Sequence, residues 1–183
     1  MKKTPVVTIV AVGIGAARFF VLSRFVAIPS PVPNTNISIQ YGFLSFMAVL
    51  FGPVAAALMA FIGHALSDFS FGWGVWWSWV IASGVAGCVM GFAAKKVNLA
   101  DGKFGGKEIV TFNVVQVIAH LVAWLAVAPV LDILIYAEPA NKVFVQGLTA
   151  GVANIVTTAI VGTLLCFAYA KSRPAKGSLK KEN

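Results

Sequence analysis

The sequence carries little charge and few of the residues that catalyse reactions or bind metals. Of its 183 residues, 11% are charged, and the chain has only six acidic residues, two histidines and two cysteines. A soluble domain usually has about 25% charged residues. The chain therefore has too little polar surface to cover a water-soluble globule, and its composition excludes an ordinary soluble domain.

Motifs of nucleotide hydrolysis and common hydrolytic chemistry are missing as well. The sequence has no Gly-x4-Gly-Lys-Ser/Thr phosphate loop, no Gly-x-Ser-x-Gly and no His-Glu-x2-His. Cys88 and Cys166 each lie in an apolar run without metal-ligand spacing, which is typical of small buried side chains. We therefore predict no catalytic residue, no metal site and no cofactor.

Long apolar runs make up most of the chain, since 59% of the residues are hydrophobic and the mean hydropathy is +0.88. A helix needs about 20 apolar residues to span the hydrocarbon core of a bilayer. The runs predict an all-α integral membrane bundle of six transmembrane helices in residues 1–170. The expected helices are 5–28, 37–51, 53–69, 75–94, 108–130 and 142–170, with an interfacial loop over 131–141 and a disordered basic tail over 171–183.

The basic residues of the loops and ends lie almost entirely on one side of this bundle. That side receives Lys2, Lys3, Lys95, Lys96, Lys103, Lys107, Lys171, Arg173, Lys176, Lys180 and Lys181. The other side receives only Lys142, because Arg18 and Arg24 lie within the first span. The positive-inside rule therefore predicts a multi-pass protein of the cell membrane with both termini in the cytoplasm. This clustering also argues against nucleic-acid binding, despite the net charge of +8.

Polar side chains within the predicted spans are concentrated toward the outer half of the bundle. A central charge costs roughly 2.5–3.5 kcal/mol on insertion scales, so such residues indicate function. The predicted substrate-binding residues are Asn36, Gln40, Tyr41, His64, Asp68, Trp76, Trp79, Asn113, Gln116, His120 and Asn154. Carboxamides and imidazoles supply donors and acceptors, and tryptophans supply stacking faces. The set fits a small, flat, neutral heteroaromatic with hydroxyl groups.

Each of these features also has a structural interpretation. The tryptophans that open the fourth span, Trp73 among them, are typical of an interfacial aromatic belt. The His64–Asp68 pair, the Asn113–Gln116–His120 stripe and Asn154 are equally consistent with hydrogen bonds and close packing between helices. The sequence leaves both interpretations open.

The first span contains two pairs of small residues, Ala11-x3-Gly15 and Gly13-x3-Ala17. Small residues at this spacing let another helix approach closely. Packing inside the bundle and contact with a partner subunit are both compatible with the pattern.

Several motifs together resemble a known family of membrane proteins. They are Arg24–Thr35 (RFVAIPSPVPNT), Ile39–Tyr41 (IQY), Phe51–Pro53 (FGP), Ile62–Asp68 (IGHALSD) and Trp76–Gly84 (WWSWVIASG). The chain resembles an S component of an energy-coupling factor (ECF) transporter over nearly its whole length. It is most similar to the S components assigned to hydroxymethylpyrimidine or pyridoxine-type substrates.

The resemblance implies a six-helix subunit that captures a B vitamin or vitamin precursor outside the cell. It also implies assembly with a transmembrane coupling subunit (EcfT-like) and two cytoplasmic ATPases, toppling of the loaded subunit in the membrane, and a lid over residues 29–38. The family's small-residue motif on the first helix, usually Ala-x3-Ala, contacts the coupling subunit. Here that role falls to Ala11, Gly13, Gly15 and Ala17, which depart from the usual pattern.

Two other classes of protein remain as alternatives. An integral membrane enzyme would use His64–Asp68 or His120 as acid–base groups, and turnover by the isolated protein would favour it. A self-sufficient channel or secondary transporter would instead support uptake into vesicles that lack ATPase partners.

Overall fold

A computed structural model describes residues 4–72 and 74–173, and these residues fold almost entirely into helices. The α-helices are α1 (Pro5–Phe25), α2 (Gln40–Phe51), α3 (Pro53–Phe71), α4 (Trp77–Gly91), α5 (Gly106–Val122), α6 (Ala128–Tyr136), α7 (Ala140–Thr157) and α8 (Thr163–Ser172). The 3-10 turns are Phe92–Lys95 and Leu99–Asp101. Lys2, Lys3, Trp73 and the predicted tail beyond residue 173 lie outside the described residues.

Two of the helices are long and contain a π-helical segment near the middle. Segment Ala123–Val127 joins α5 to α6, and segment Thr158–Gly162 joins α7 to α8. The joined helices are therefore continuous over 31 residues (Gly106–Tyr136) and 33 residues (Ala140–Ser172). Such π-helical turns are rare and occur frequently at functional sites.

The predicted all-α membrane bundle is confirmed at the level of helix content and length. The described residues form five helices that are long and apolar enough to cross a membrane, together with the shorter apolar helix α2. The 12 residues of α2 extend about 18 Å, which is less than the roughly 30 Å hydrocarbon core. Six complete spans and two cytoplasmic termini stay predictions.

Proline and glycine set the boundaries around α2 as the sequence indicates. The proline-rich segment after α1 forms a small antiparallel ribbon in which Ile28 pairs with Ile37 and Pro29 pairs with Asn36. Between α2 and α3, Gly52 has a φ of +84°, which side chains other than glycine rarely tolerate. Pro53 follows at the first position of α3, where its missing N–H has no helical partner to lose.

The prediction of an interfacial loop over residues 131–141 is wrong for most of these residues. The fifth helix continues to Tyr136, and the last long helix begins at Ala140. Asp132, Glu138 and Pro139 led to the prediction of a loop, but only the last two lie in the short connection between the helices. The structure satisfies the Asp132 carboxylate with donors from residues 76–79, at and just before the start of α4, so the helix is not interrupted.

Small residues let the helices approach closely at the centre of the bundle, while large apolar residues face outward. Helix α3 packs between α1 and α4, and a Cβ atom on Gly87 of α4 would lie only 2.5 Å from the carbonyl oxygen of Ala56. On the outer surface, Val6, Phe69 and Leu134 are each about 70% exposed. With lipid as the surrounding medium, close packing of small residues stabilises such a bundle.

The Gly87→Ala substitution should destabilise the purified protein, because the added methyl meets fixed backbone of α3. Overpacking of this kind costs about 1–3 kcal/mol. The matched control is Gly13→Ala, since no atom lies within 4 Å of a Cβ built on Gly13. Thermal unfolding in detergent should show a lower midpoint for the first variant alone. Equal midpoints would contradict the close α3–α4 contact.

Candidate functional site

A cavity of about 270 Å³ lies at one end of the bundle, which we call the cavity end. It is formed where the loop after α1, the end of α3, the start of α4, the end of α6 and the start of α7 meet. Its lining residues are Asn34, His64, Asp68, Trp76, Trp79, Asp132, Glu138, Lys142 and Gln146. Aromatic faces, carboxylates and amides therefore share one small volume.

The carboxylate of Asp132 ties the start of α4 to the end of α6. It accepts hydrogen bonds from Nε1 of Trp76 at 2.5 Å, from Nε1 of Trp79 at 2.9 Å, and from the hydroxyl of Ser78. Asp132 is only 2% exposed, so these donors replace water around a buried charge. The Trp-Trp-Ser-Trp sequence at residues 76–79 thus supplies three side-chain donors to one acceptor.

Side chains from neighbouring helices also satisfy the first backbone N–H groups of α4, which have no partner within the helix. The N–H of Trp76 donates to Oδ2 of Asp68 at 3.0 Å, and the N–H of Trp77 donates to the hydroxyl of Tyr136 at 3.0 Å. The start of α4 is therefore held by α3 on one side and by α6 on the other.

A chain of hydrogen bonds runs from the interior of the bundle to the cavity. The Tyr41 hydroxyl lies 2.6 Å from Oγ of Ser83, and the same Oγ lies 2.5 Å from Nδ1 of His64. The other ring nitrogen of His64 lies 3.5 Å from Oδ1 of Asp68. Ser83 thus links the cavity-lining His64 to Tyr41, which does not line the cavity.

Both cavity tryptophans are fixed by ring contacts as well as by Asp132. Trp76 stacks on Tyr136 with the ring centres 4.4 Å apart, and Trp79 stacks on Trp124 at 5.6 Å. One face of each indole is therefore covered by protein. Because rings that are held in this way lose little freedom on binding, they suit the recognition of a flat ligand.

The loop after α1 closes over the cavity through one amide contact. The side chain of Gln146 donates to the carbonyl oxygen of Pro33 at 3.0 Å, and Asn34 beside it has a φ of 58°. At the rim, Nζ of Lys142 lies 2.6 Å from Oε2 of Glu138. Pro33 and Asn34 fall within residues 29–38, where the family resemblance implies a lid.

The predicted stripe on α5 lies away from the cavity and faces the last long helix. Asn113 donates to Oγ1 of Thr163 at 3.1 Å, and Gln116 donates to the carbonyl oxygen of Ile155 at 3.4 Å. Oε1 of Gln116 is buried, and no hydrogen-bond partner is found for it among the described residues. These contacts match the interhelical alternative considered for the stripe.

His120 joins the two π-helical segments. Nε1 of Trp124 donates to Nδ1 of His120 at 2.9 Å, and Nε2 of His120 lies 3.0 Å from Oγ1 of Thr158. Because Nδ1 accepts a hydrogen bond from the indole, Nε2 carries the ring proton and donates a hydrogen bond to Oγ1 of Thr158. The imidazole is fully buried. Its two hydrogen bonds connect the two long helices at their π-helical segments.

Of the predicted binding residues, the cavity lining includes His64, Asp68, Trp76 and Trp79. The remaining ones lie elsewhere: Asn36 is exposed in the ribbon, Gln40 and Tyr41 begin α2, and Asn154 is buried in α7. The sequence prediction omitted Asn34, Asp132, Glu138, Lys142 and Gln146. An acidic residue inside an apolar run was a usable signal for Asp132.

Within residues 4–72 and 74–173, no group of three or more His, Cys, Asp or Glu side chains is arranged to hold a metal ion. The cavity carboxylates are instead engaged by indole, hydroxyl, backbone and ammonium donors. The arrangement fits recognition of an organic solute by stacking and hydrogen bonds.

An apolar helical bundle with such a cavity at one end defines a membrane protein that binds a small solute. A sequence model described as "ECF-type riboflavin transporter, S component" matches residues 3–171, and the chain belongs to this family. It is also similar to UPF0397 proteins of Exiguobacterium sp. (55% identity, 95% of each chain), Enterococcus faecalis (52%, 99% of each) and Staphylococcus aureus strain Newman (51%, 100% of each).

Family membership confirms the resemblance to ECF S components. The chain is thus the substrate-binding component of an ECF transporter, a transport subunit of the membrane and not an enzyme. Members of this family work in general with a transmembrane coupling subunit and ATPase subunits. The hydroxymethylpyrimidine or pyridoxine assignment remains a proposal.

The Trp124→Phe substitution should destabilise the bundle, because it removes the indole N–H and leaves Nδ1 of His120 buried without a donor. Such a loss costs about 1–3 kcal/mol. The matched control is Trp77→Phe, since Trp77 is 46% exposed. Chemical unfolding followed by circular dichroism should separate the two variants. Similar stabilities would show that the His120 bridge contributes little.

Proposed function

We propose that this chain captures a small nitrogen heteroaromatic of the B-vitamin class, such as hydroxymethylpyrimidine or pyridoxine, at the outer face of the membrane. It delivers this substrate inward together with a coupling subunit and two ATPases. The observation that carries the proposal is the cavity in which Asp132 holds Trp76 and Trp79 beside His64 and Asp68. Fixed indole faces suit a flat ring, and the surrounding acceptors suit its amino and hydroxyl groups.

Cavity size supports a substrate with a single ring. Pockets for drug-sized ligands usually measure about 300–1,000 Å³. At about 270 Å³, the cavity lies just below that range. Riboflavin, with three fused rings and a ribityl chain, is the second candidate because the matching family is described by that substrate.

The distribution of charge supports an outward-facing cavity. The cavity lies at the start of α4, whereas Lys95 and Lys96 follow the other end of this helix. Lys171 and Arg173 lie at the end of α8. This is the opposite end of the last long helix from the start of α7, which lines the cavity. If the basic end is cytoplasmic, as the positive-inside rule predicts, the cavity opens outside the cell.

The two small-residue pairs of α1 face different ways, and this supports one of them as the coupling contact. Ala11 and Gly15 are buried, and a Cβ atom on Gly15 would collide with Met59 of α3. Gly13 and Ala17 are exposed, and no atom lies within 4 Å of a Cβ built on Gly13. We therefore place the contact with the coupling subunit on the Gly13–Ala17 face.

Ligand binding by the purified full chain tests the substrate proposal directly. Radiolabelled hydroxymethylpyrimidine, pyridoxine and riboflavin are offered separately at micromolar concentration. Saturable binding of either single-ring compound is expected. Saturable binding of riboflavin alone would favour the second candidate, and failure of every B vitamin and precursor would overturn the substrate class.

In the same assay, Trp79→Ala should weaken binding about tenfold, because a stacking contact worth about 1.4 kcal/mol is lost. The matched control is Trp77→Ala, which removes a neighbouring indole that stacks on Phe61 and does not line the cavity. Binding by this control should stay within about twofold of the parent protein. Equal losses in both variants would argue against the cavity as the site.

Assembly tests the proposed coupling face. Ala17→Leu should reduce recovery of the coupling subunit and ATPases in a pull-down from the native membrane, because the larger side chain separates the helices. Substrate binding by the isolated subunit should be retained. The control is Ala126→Leu, at an exposed alanine of the π-helical segment after α5. Normal assembly of the Ala17 variant would place the contact elsewhere.

A further inference from the structure

The cavity contains more negative than positive charge. Its lining includes the carboxylates of Asp68, Asp132 and Glu138, and one ammonium group, that of Lys142. Lys142 is already paired with Glu138 at 2.6 Å. His64 lies 3.5 Å from Asp68. Among the described residues, no cationic side chain lies within 4 Å of the Asp132 carboxylate.

The partners of Asp132 are donors without charge. Both carboxylate oxygens accept hydrogen bonds, and the donors are two indoles and the Ser78 hydroxyl. These bonds solvate the carboxylate but bring no positively charged group into contact with it. A buried charge without an opposite partner is unfavourable, so a cation brought into the cavity would gain from its field.

The two indoles strengthen this preference. An indole whose N–H donates to a carboxylate has a more electron-rich ring, and Trp is the best aromatic partner for a cation. Trp76 and Trp79 both donate to Asp132, and each has one face covered by another ring. Both aromatic rings of the cavity are thus polarised by the same buried charge.

We propose that the cavity selects a nitrogen heteroaromatic that carries a positive charge, either on a protonated ring nitrogen or on a protonated amino substituent. It prefers such a cation to the neutral analogue of the same shape, and it rejects the phosphate ester. The selecting groups are Asp132 and the indoles of Trp76 and Trp79. This inference rests on the proposed function, since it assumes that the substrate binds in this cavity.

Two pairs of probes test the charge preference with little change of shape. In each pair, an ammonium group replaces a hydroxyl group. The first pair is pyridoxamine and pyridoxine, and the second is 5-aminomethyl-4-amino-2-methylpyrimidine and hydroxymethylpyrimidine. Competition binding is measured with the purified full chain. In any pair whose members bind, the cationic compound should bind at least about tenfold more tightly than its neutral analogue. The 5′-phosphate of pyridoxine and the phosphate of hydroxymethylpyrimidine should bind at least about tenfold more weakly than the parent alcohols.

Two substitutions assign the preference to the cavity charges. Asp132→Asn should reduce the cation-to-neutral affinity ratio to within about threefold. Lys142→Gln should increase that ratio, since it removes the positive charge at the rim, and it provides a test if the first variant does not fold. Asp101→Asn is the control, because Asp101 lies in a 3-10 turn outside the cavity lining.

The outcomes separate this inference from the proposed function. Equal affinity for the two members of a binding pair would overturn the charge preference and leave the substrate proposal intact. An unchanged ratio in folded Asp132→Asn, or in Lys142→Gln, would remove the assignment to these residues. If none of the single-ring probes binds, the substrate proposal and the charge preference both fail.

Discussion

The arrangement of the cavity end depends on one buried carboxylate in an apolar bundle. Asp132 cannot remain unsatisfied in such surroundings, and its donors come from Trp76, just before α4, and from Ser78 and Trp79 in its first turn. These bonds fix the rotation of α4 relative to α6 and the planes of both indoles. The positions of the two indoles that line the cavity are therefore set by the hydrogen bonds that satisfy one buried carboxylate.

Much of the fold follows from rules that act locally along the chain. Apolar length predicts the long helices, and the prolines after α1 and the Gly52-Pro53 turn predict their boundaries. Local rules failed at Asp132, where a residue that usually ends a membrane helix is satisfied by another helix. The π-helical segments also escaped prediction, because an apolar run does not distinguish a π-helical turn from an α-helical one, and the bonds from His120 to a residue of each segment exist only in the fold.

Only some of the residues that line the cavity were predicted as binding residues, and the predicted and unpredicted ones differ in a physical way. His64 and Asp68 share a helix face at a spacing of four residues, and Trp76 and Trp79 lie together at the start of α4, so a pattern within one segment finds them. Glu138 and Gln146 enter the cavity only through the packing of α6 against α4 and of α7 against α6. The stripe on α5 shows the converse, since one helical face of polar residues serves contacts between helices.

The shortness of α2 has a consequence for the lipid beside it. With about 18 Å of helix against a hydrocarbon core of about 30 Å, this flank of the bundle produces hydrophobic mismatch. A bilayer accommodates a short helix by local thinning, by snorkelling of flanking side chains or by association with another helix, at a free-energy cost that grows with each ångström of mismatch. The apolar groove between α1 and α2, lined in part by Val10, Met47 and Phe51, opens on the same flank. A neighbouring transmembrane helix that covers this groove would displace the strained lipid, so relaxation of the bilayer itself favours association at this surface.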